Sequence, residues 1–478
     1  MSAPVPVVIC GAGPTGMSLA LELARFNVPF RIIERSEHGA EHSQALGVQA
    51  RTLELLEAAH ITDRLLNYAR RVAQVRISAG SRTLIEADFN ALPTSYPFLA
   101  MIPQTDTERV MREALGAIGV TIERGVTLTA IQQDPEGINA DLAGPSGTER
   151  VRTRFLAGCD GAHSTVRHLL DLPFTGHALP ERFALADVRL DTSLTPDTLH
   201  VHLAADGGAT ALFPLRDGWR IIVESPQPLP DPPEPAAFDA ALAAQGFPAR
   251  IRETIWMANY HVHQRRVERL RVGNAFLLGD AAHIHSPIGG QGMNSGIGDA
   301  VNLGWKLALV IRDNVSPALL DTYAEERGAL GRALLAATDY GNRLAFNANT
   351  MVRALRNAVL PVASHLPLVR DRLRENVAQL RIAYPHSPLS VNGSPARRGL
   401  RAGMRVRGAR PTSYRPQTIV MHPHDEHAAI TLVLRPDGYA GYVSDGAHAR
   451  GAATYMRNVI GLRNVIGLDN VIRRGAPT

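Results

Sequence analysis

The stretch Val5-Pro6-Val7-Val8-Ile9-Cys10-Gly11-Ala12-Gly13-Pro14-Thr15-Gly16 decides how the rest of the chain is read. Val5 to Cys10 is a short apolar run, as expected of a strand buried on both faces. It ends in G-x-G-x-x-G, and an amphipathic helical pattern follows with Leu19, Leu21, Leu23 and Ala24 among its apolar positions. A second strand pattern, Phe30-Arg31-Ile32-Ile33, ends at Glu34. Strand, glycine turn, helix, strand and acid in that order predict a βαβ unit that binds a dinucleotide. The glycines allow a tight turn and a close approach to pyrophosphate, and the carboxylate meets ribose hydroxyls. Gly11, Gly13, Pro14, Thr15, Gly16, Glu34 and the adjoining Arg35 form the first candidate set. Glu34 leaves no room for a 2′-phosphate, which favours FAD or NAD over NADP here.

A second stretch far downstream complements the first. Ala275-Phe276-Leu277-Leu278 reads as a strand ending at Gly279-Asp280, and Ala281-Ala282-His283-Ile284-His285-Ser286-Pro287-Ile288-Gly289-Gly290-Gln291-Gly292-Met293-Asn294 follows. The glycine-rich turn opens a helical pattern from Ile297 to Ile311. Glycine lets main-chain N–H groups come close to a ligand, and a helix N-terminus aimed there favours negative charge. Asp280 is placed to accept hydrogen bonds from a polyol. A ligand with a polyol chain and a ring that turns anionic on reduction suits such a site, and flavin has both. Alone, the stretch would also serve as a helix-entry turn with Asp280 as a cap. A third corner lies between the two. The strand Arg154-Phe155-Leu156-Ala157-Gly158-Cys159 ends at Asp160-Gly161, and Ser164 or Thr165 starts a helix containing Arg167.

Composition narrows the class. The chain has 478 residues, 45% hydrophobic and 20% charged, with a net charge of +5. That length predicts about two to four domains. The modest basic excess is spread along the chain, which argues against nucleic-acid binding and leaves a weak pull on anionic ligands. Cys10 and Cys159, the two cysteines, read as buried thiols with neither disulfide nor metal spacing. No signal-peptide pattern opens the chain and no apolar run reaches membrane-spanning length, so the expectation is a cytoplasmic protein without membrane contact.

The remaining segments place these corners. Gly47 to Leu56 predicts a helix, with Arg51 readable either as a surface residue or as able to reach a pyrophosphate. Val72 to Phe89 alternates as a hairpin. A helix opens near Gln104 with Thr105 or Asp106 as cap, and strands follow at Val120 to Glu123 and Leu128 to Gln133. Phe183 to Leu190, Leu199 to Ala204, Ala209 to Leu215 and Trp219 to Glu224 read as antiparallel strands. Helix Ala236 to Gln245 and a strand near Ile255 to Val262 follow. From Ser316-Pro317 to about Leu380 the pattern is helical, and from about Pro395 it is short and β-leaning. The tail repeats Asn-Val-Ile at Asn458, Asn464 and Asn470, which three copies cannot turn into a self-sufficient β-helix.

Together the three corners resemble the flavoprotein aromatic hydroxylases of the p-hydroxybenzoate hydroxylase fold, nearest the phenol, chlorophenol and polyketide-tailoring branch. The resemblance covers residues 5 to about 390. It implies an α/β fold in which a Rossmann-like FAD-binding domain (1–175 and 269–394) carries an inserted antiparallel β-sheet substrate domain (176–268). The hairpin within 70–100 would join that sheet, and helices would complete the second FAD-binding part. Residues 395–478 would be a short degenerate thioredoxin-like piece without a cysteine pair. By the same resemblance, the first glycine set and Glu34 hold the ADP half of FAD, and Arg51 and Gln104 line its pyrophosphate and ribityl region. Asp160 supports FAD, Asp280 binds ribityl hydroxyls, and Pro287 with Gly289, Gly290, Gly292, Met293 and Asn294 sits beside the ring.

The activity so implied is hydroxylation of a phenolic or polyketide-type aromatic with O2 and NADPH or NADH, through a flavin C4a-hydroperoxide, in a dry chamber. Pro287, Gly289 and Gly290 form the catalytic loop against the flavin. Tyr260, His261, His263 and His285 are candidate proton acceptors, each equally readable as a structural polar residue, so no base is assigned. The expected state is monomer or homodimer. A flavin-dependent epoxidase or other oxidative tailoring enzyme is the alternative within the fold, and a non-catalytic FAD-fold binding protein is the alternative outside enzymology. A halogenase is disfavoured because W-x-W-x-I-P is missing.

Overall fold

The structure, a computed structural model, describes residues 5–39, 45–204, 208–225, 230–284, 290–345, 349–393, 399–411, 413–422, 429–446, 449–462 and 472–475. Strand β1 (Val5–Cys10) and helix α1 (Pro14–Arg25) lead into β2 (Phe30–Glu34), which lies parallel to β1. Val7, Val8 and Ile9 are wholly buried, as a strand covered on both faces requires. Next come β3 (Leu46–Val48), α2 (Ala50–Glu57) and α3 (Thr62–Leu66). The helix expected from Gly47 therefore starts later. Gly47 holds φ +92°, which no right-handed helix accepts, and Leu46–Val48 pairs as a strand instead.

Strand β4 (Arg70–Val72) is followed by the hairpin β5 (Gln74–Ala79) and β6 (Arg82–Asp88), and then by β7 (Leu99–Pro103), which joins β3 to β4. Helix α4 (Gln104–Ala117) starts directly after Pro103, so Thr105 and Asp106 lie inside its first turn rather than capping it. Strand β8 (Ile122–Arg124) extends the first sheet, and β9 (Thr127–Asp134), β10 (Gly137–Gly144) and β11 (Gly147–Gly158) form a meander. The end of β11 lies parallel to β1, and α5 (Thr165–Leu169) follows with Ser164 as its cap.

The second sheet takes β12 (Thr175–Thr192), β13 (Thr198–Leu203), β14 (Ala209–Pro214) and β15 (Trp219–Ser225). After α6 (Pro235–Ala244), β16 (Ala249–Arg266) completes its centre. Strands β17 (Arg271–Val272) and β18 (Ala275–Leu277) return to the first sheet, whose path reads β17-β18-β11-β1-β2-β8. Strand β19 (His283–Ile284) then edges the second, ordered β19-β16-β12-β15-β14-β13-β5-β6. That sheet is not wholly antiparallel, because β5 pairs parallel with β13. The β5–β6 hairpin comes from a distant part of the chain, so no tight turn fixes its direction against β13.

Helix α7 (Gly292–Arg312) begins earlier than its apolar pattern suggested and is buried almost throughout. Ser316 accepts a hydrogen bond from Ala318 N, then α8 (Asp321–Ala345), α9 (Thr350–His365) and α10 (Pro367–Val377) follow. The C-terminal sheet, β20-β23-β22-β21-β24, uses β20 (Val391–Asn392), β21 (Gln417–His422), β22 (Ile430–Leu434), β23 (Ala440–Asp445) and β24 (Ile472–Gly475). Helix α11 (Ala449–Tyr455) precedes β24. The first Asn-Val-Ile copy lies in a π-helical turn and Ile472, the last residue of the third, opens β24; residues 463–471, which include the second copy, lie outside the described chain. Among the described residues no helix is long and apolar enough to cross a membrane.

Buried charge fastens the C-terminal sheet to α7 and α8. Arg435 donates to both oxygens of Glu326, at 2.6 and 2.8 Å, and to both of Asp437, at 3.0 and 2.6 Å. Lys306 Nζ donates to Glu326 at 2.9 Å, and Trp305 Nε1 to Asp437 at 3.3 Å. Burial pulls the Lys306 ammonium down to about 8, although Glu326 opposes the shift. Breaking one partner of such a cluster leaves uncompensated buried charge. Arg435→Met is therefore expected to destabilise the protein by about 3–5 kcal/mol, read as a fall in the urea midpoint. A midpoint equal to wild type would show that the cluster does not anchor this sheet.

Candidate active site

The three corners of the sequence meet in space. A Cβ added to Gly11, whose φ is +100°, would stand 2.3 Å from Cys159 O and 2.8 Å from Asp160 Cα. The first corner therefore rests directly on the third. One added to Gly158 would stand 2.9 Å from Leu277 Cδ2, against the strand that leads to the second corner. Cβ atoms at Gly279 and Gly296 would lie 2.6 and 2.2 Å from Thr15 Oγ1, so Thr15 of α1 fills a pit formed by the second corner and α7. These glycines are explained by packing. Gly13 is not: its backbone is extended, φ −75° and ψ −176°, and nothing lies within 4 Å of its missing side chain. Neither conformation nor contact requires glycine there, and the open backbone face suits a pyrophosphate at the start of α1.

Glu34 lies across this turn. Its Oε2 accepts from Ala12 N and its Oε1 from Ser36 N, each at 2.9 Å. Beyond it opens a cavity of about 490 Å³ whose lining includes His38, Thr105, Glu108, Arg109, Arg112 and Arg124. Arg35 is exposed near Glu34. Gln104, the first residue of α4, donates from Nε2 to Glu108 at 2.8 Å. Burial raises the Glu108 carboxyl.

Asp160 caps the third corner, accepting from Ser164 Oγ at 2.6 Å and from Val166 N at 3.0 Å. Arg167 ties this corner to the second by donating to Ala281 O at 3.1 Å. Asp280 is exposed, although surrounding protein crowds its carboxyl. That crowding raises its carboxyl, as does Asp299, against the opposing pull of His283.

Sequence reasoning missed the support beneath Asp280. Asp299, fully buried in α7, accepts from Gly279 N and lies beside His283 Nε2, each at 2.9 Å, and it accepts from Arg327 Nε at 2.5 Å. Arg327 also donates to Tyr384 Oη at 3.0 Å and Ser295 O at 2.9 Å. Burial would raise the Asp299 carboxyl, but Arg327 and His283 prevail and hold it at about 2. An acid inside the apolar run Gly296–Ile311 was the available signal, since a buried charge needs a partner.

Around the second glycine turn, Gly290 has φ +61° and its carbonyl accepts from Asn294 Nδ2 at 2.8 Å. Asn294 also donates to Gly47 O at 3.1 Å and accepts from Gln49 N at 2.9 Å, fastening the start of α7 to β3. Gly292 opens α7 and Met293 is half-buried. Pro287, Gly289 and His285 lie outside the described residues, as does the His261 side chain. Arg51 needs correction. Its guanidinium is buried, donates to Asp437 O at 2.7 Å and Glu54 at 3.0 Å, and lies 4.7 Å from the Tyr439 ring centroid. Its contacts join α2 to the C-terminal sheet instead of facing a pyrophosphate.

The second sheet presents one face to α6, where Phe238 and Leu242 pack on Ala184, Ala186, Val188, Leu212, Ile221 and Val223. Alternation sends the intervening residues to the other face. Pairing aligns them in rows: Tyr260, Phe183, Glu224 and Ala209; then Ala258, Leu185, Ile222 and Ala211; then Trp256, Asp187, Arg220 and Phe213. The middle row is wholly apolar, yet Ala258, Ile222 and Ala211 are only half-buried. This face therefore retains accessible apolar surface. Tyr260 belongs to it, and His263 alternates to the opposite face.

Comparison with known proteins agrees with this geometry. Residues 4–338 match a family described as an FAD binding domain. The chain is 36% identical over 430 residues to 6-methylpretetramide 4-monooxygenase of Streptomyces rimosus, covering 83% of this chain and 73% of that enzyme. It is 35% identical over 349 residues to pentachlorophenol 4-monooxygenase of Sphingobium chlorophenolicum, covering 70% and 64% respectively. The solved OxyS anhydrotetracycline hydroxylase from Streptomyces rimosus superposes with a TM-score of 0.76 at 28% identity, over 96% of this chain and 99% of that one.

The Thr15 pit gives a direct test. Gly296→Ala is expected to lower the melting temperature by several degrees and reduce retained cofactor. Thr15→Ala/Gly296→Ala should recover most of the loss, because the second change removes the clashing Oγ1. Equal defects in the single and double variants would refute the packing account.

Proposed function

Because this chain belongs to the FAD-dependent aromatic hydroxylases, we propose that it hydroxylates a phenolic ring of polyketide type, drawing on O2 and on NADPH or NADH. One observation supports the reading: the two glycine corners pack on one another through Thr15, and the sheet face with half-buried apolar surface reaches the second glycine turn, where Arg220 donates to Ala45 O at 3.5 Å beside Leu46, whose carbonyl faces Gly290. Relatives act on 6-methylpretetramide and on pentachlorophenol, and the likeness to the first, over 83% of this chain, supports the polyketide-type class.

FAD, when bound, supplies the acceptance of reducing equivalents and the activation of O2. The chain's own residues bind, orient and keep water away. Gly11, Gly13, Pro14, Thr15, Gly16, Glu34 and Arg35 would hold the ADP half, with Gln104 and Asp160 supporting it. Asp280, backed by Asp299 through Gly279, would hold the polyol chain. Gly290, Gly292, Met293 and Asn294, with Pro287 and Gly289 just before them in sequence, would border the ring. The start of α7 would favour the negative charge that the ring gains on reduction. The apolar middle row would exclude water from the reacting centre.

In this reading the first sheet and α7–α10 make up the Rossmann-like FAD-binding domain, and the second sheet, including the β5–β6 hairpin, is the substrate platform. The five-stranded C-terminal sheet is read as the degenerate thioredoxin-like piece. Without a cysteine pair, and with Arg435, Asp437 and Arg51 locked between the parts, a packing role suits it better than redox work. The proposed state is a cytoplasmic monomer or homodimer.

Two measurements follow. Asp280→Ala should purify with less than about a tenth of the wild-type FAD content, because a charged hydrogen bond is worth roughly 1.5–3 kcal/mol; a flavin-saturated variant would remove the Asp280 assignment. For wild type, NADPH or NADH oxidation under air should be slow until a phenol is added, and mass detection should then find a product heavier by one oxygen. A panel of one- to four-ring phenols that never stimulates oxidation, while an alkene gains oxygen, would replace hydroxylation with epoxidation.

A further inference from the structure

Helix α9 is covered by protein on one side, and its other side departs from the usual polar surface of a helix. Ser364 Oγ donates to Leu84 O at 3.3 Å, and Leu360 packs on Leu84, Leu203 and Ala209, so the covered side lies against β6 and its neighbours in the second sheet. On the other side Met351, Leu355, Val359, Val362 and Leu366 recur at intervals of four, four, three and four residues, which is one stripe along a helix. These five are between 51 and 80% exposed. Val352 widens the stripe, and Leu368, at the start of α10, prolongs it. Between Thr350 and His365, at its two ends, every exposed residue of α9 is apolar, Ala354 and Ala358 included. Elsewhere among the described residues, large apolar side chains this exposed stand singly, at Ile118, Ile255 and Met404. Scattered residues of that kind are ordinary, whereas a continuous stripe marks a contact surface.

We propose that two copies of this chain pair through α9, the two helices running antiparallel across a two-fold axis beside Val359. The pairing is independent of the hydroxylase reading. Spacing, charge and area all select a second copy as the occupant of this face. Reversed, the stripe falls on itself: Met351 lies opposite the partner's Leu366, Leu355 opposite the partner's Val362, and Val359 opposite its own copy. A two-fold contact requires such self-complementarity. Helices that lie on a lipid surface carry Lys and Arg beside the apolar face. The two arginines of α9 are instead drawn into the protein, Arg356 buried and Arg353 half-buried. A face without carboxylates or exposed arginines offers a charged partner nothing and meets no repulsion from its own copy. The stripe with Val352 and Leu368 exposes the equivalent of about four whole apolar side chains, on the order of 500 Å². Two copies therefore bury on the order of 1,000 Å² of apolar surface, the size at which a specific contact holds. Ala354 and Ala358 beside the stripe let the helix axes approach to about 8 Å.

The test uses the full chain, loaded with FAD. Sedimentation velocity should show wild type passing from the 51.6 kDa chain to twice that mass as concentration rises. The dissociation constant should be roughly 1–10 μM, as suits an interface at the small end of the stable range. Leu355→Glu/Val362→Glu should weaken pairing at least about 100-fold with FAD content unchanged, because each carboxylate would be buried against apolar side chains. Cysteine substitutions read the orientation. Cys10 and Cys159 are buried, so wild type should give no covalent dimer under mild oxidant. Val359→Cys should give one, and so should Leu355→Cys/Val362→Cys. Leu355→Cys alone should not, since its two copies would stand about 10 Å apart along the helix. A chain that stays monomeric to about 100 μM would overturn the proposal, and a monomer that sediments with phosphatidylcholine vesicles would assign the face to a lipid surface instead. A dimer indifferent to the glutamate pair would place the contact elsewhere and overturn it equally. A covalent dimer from Leu355→Cys alone would overturn the antiparallel arrangement.

Discussion

The seating of Thr15 between Gly279 and Gly296 is the contact on which the site depends. It sets how closely α1 can approach α7, and so how far apart two glycine turns lie that are separated by more than half the chain. Further along the same helix pair, a Cβ at Gly304 would stand 2.7 Å from Glu22 Cβ, so the close approach persists beyond the site. With Gly11 resting on Cys159 and Asp160, three corners from three chain segments share one small volume. None of the three could bind a long, jointed cofactor alone, because each supplies only a few donors or acceptors. Their mutual packing removes the entropy that separate loops would lose on binding.

Helix α7 meets the consequences of being central. It is buried on nearly all sides, so each of its polar residues must find a partner inside the protein. Asn294 takes β3 and Gly290, Asp299 takes Gly279, His283 and Arg327, and Asn302 and Lys306 take Glu326. One helix thereby fixes the glycine turn at its start, the Asp280 corner at its first third and the C-terminal sheet at its middle. The price of those buried charges is high, and replacing them by apolar residues would be tolerable for packing alone. What apolar residues could not do is orient Gly279 N and the neighbouring Asp280, which is the argument for an ionic interior at this point.

Much of this was legible in the chain, for local reasons. A βαβ unit with glycines at its turn writes its own requirements within 30 residues, and Val5–Glu34 folds as read, with Glu34 across the turn. The strands from Phe183 to Glu224 showed in their alternation. What failed was non-local or conformational. Gly47 looked like helix until its positive φ and pairing with β7 made it a strand. Strand β10 went unread although Ile138, Ala140 and Leu142 alternate, and the parallel β5–β13 pairing has no sequence mark. The resemblance puts Arg51 on the cofactor, whereas Asp437 and Tyr439, far away in sequence, hold its guanidinium. Asp299 carried a signal in its own helix, but its partners Arg327 and His283 could not be named without the fold.

The inward rows of the second sheet bear on why a reaction of this kind needs two unlike environments side by side. Activated oxygen must be kept from water, which asks for surface such as Leu185, Ile222 and Ala211. The ring that receives it must shed a proton, which asks for a polar group within hydrogen-bond reach. Alternation in a strand satisfies both without a loop, since residues two apart share a face and lie about 7 Å apart. Ile222 and Arg220 are such a pair, one apolar and one paired with Asp187, on a strand whose other face is sealed by α6. The apolar row is therefore bordered on one side by the Asp187–Arg220 pair and on the other by the stacked rings of Phe183 and Tyr260. That spacing follows from the pleat itself, so turning the apolar row off this face would require a one-residue register slip that also turns Val223 and Ile221 out of their packing with α6.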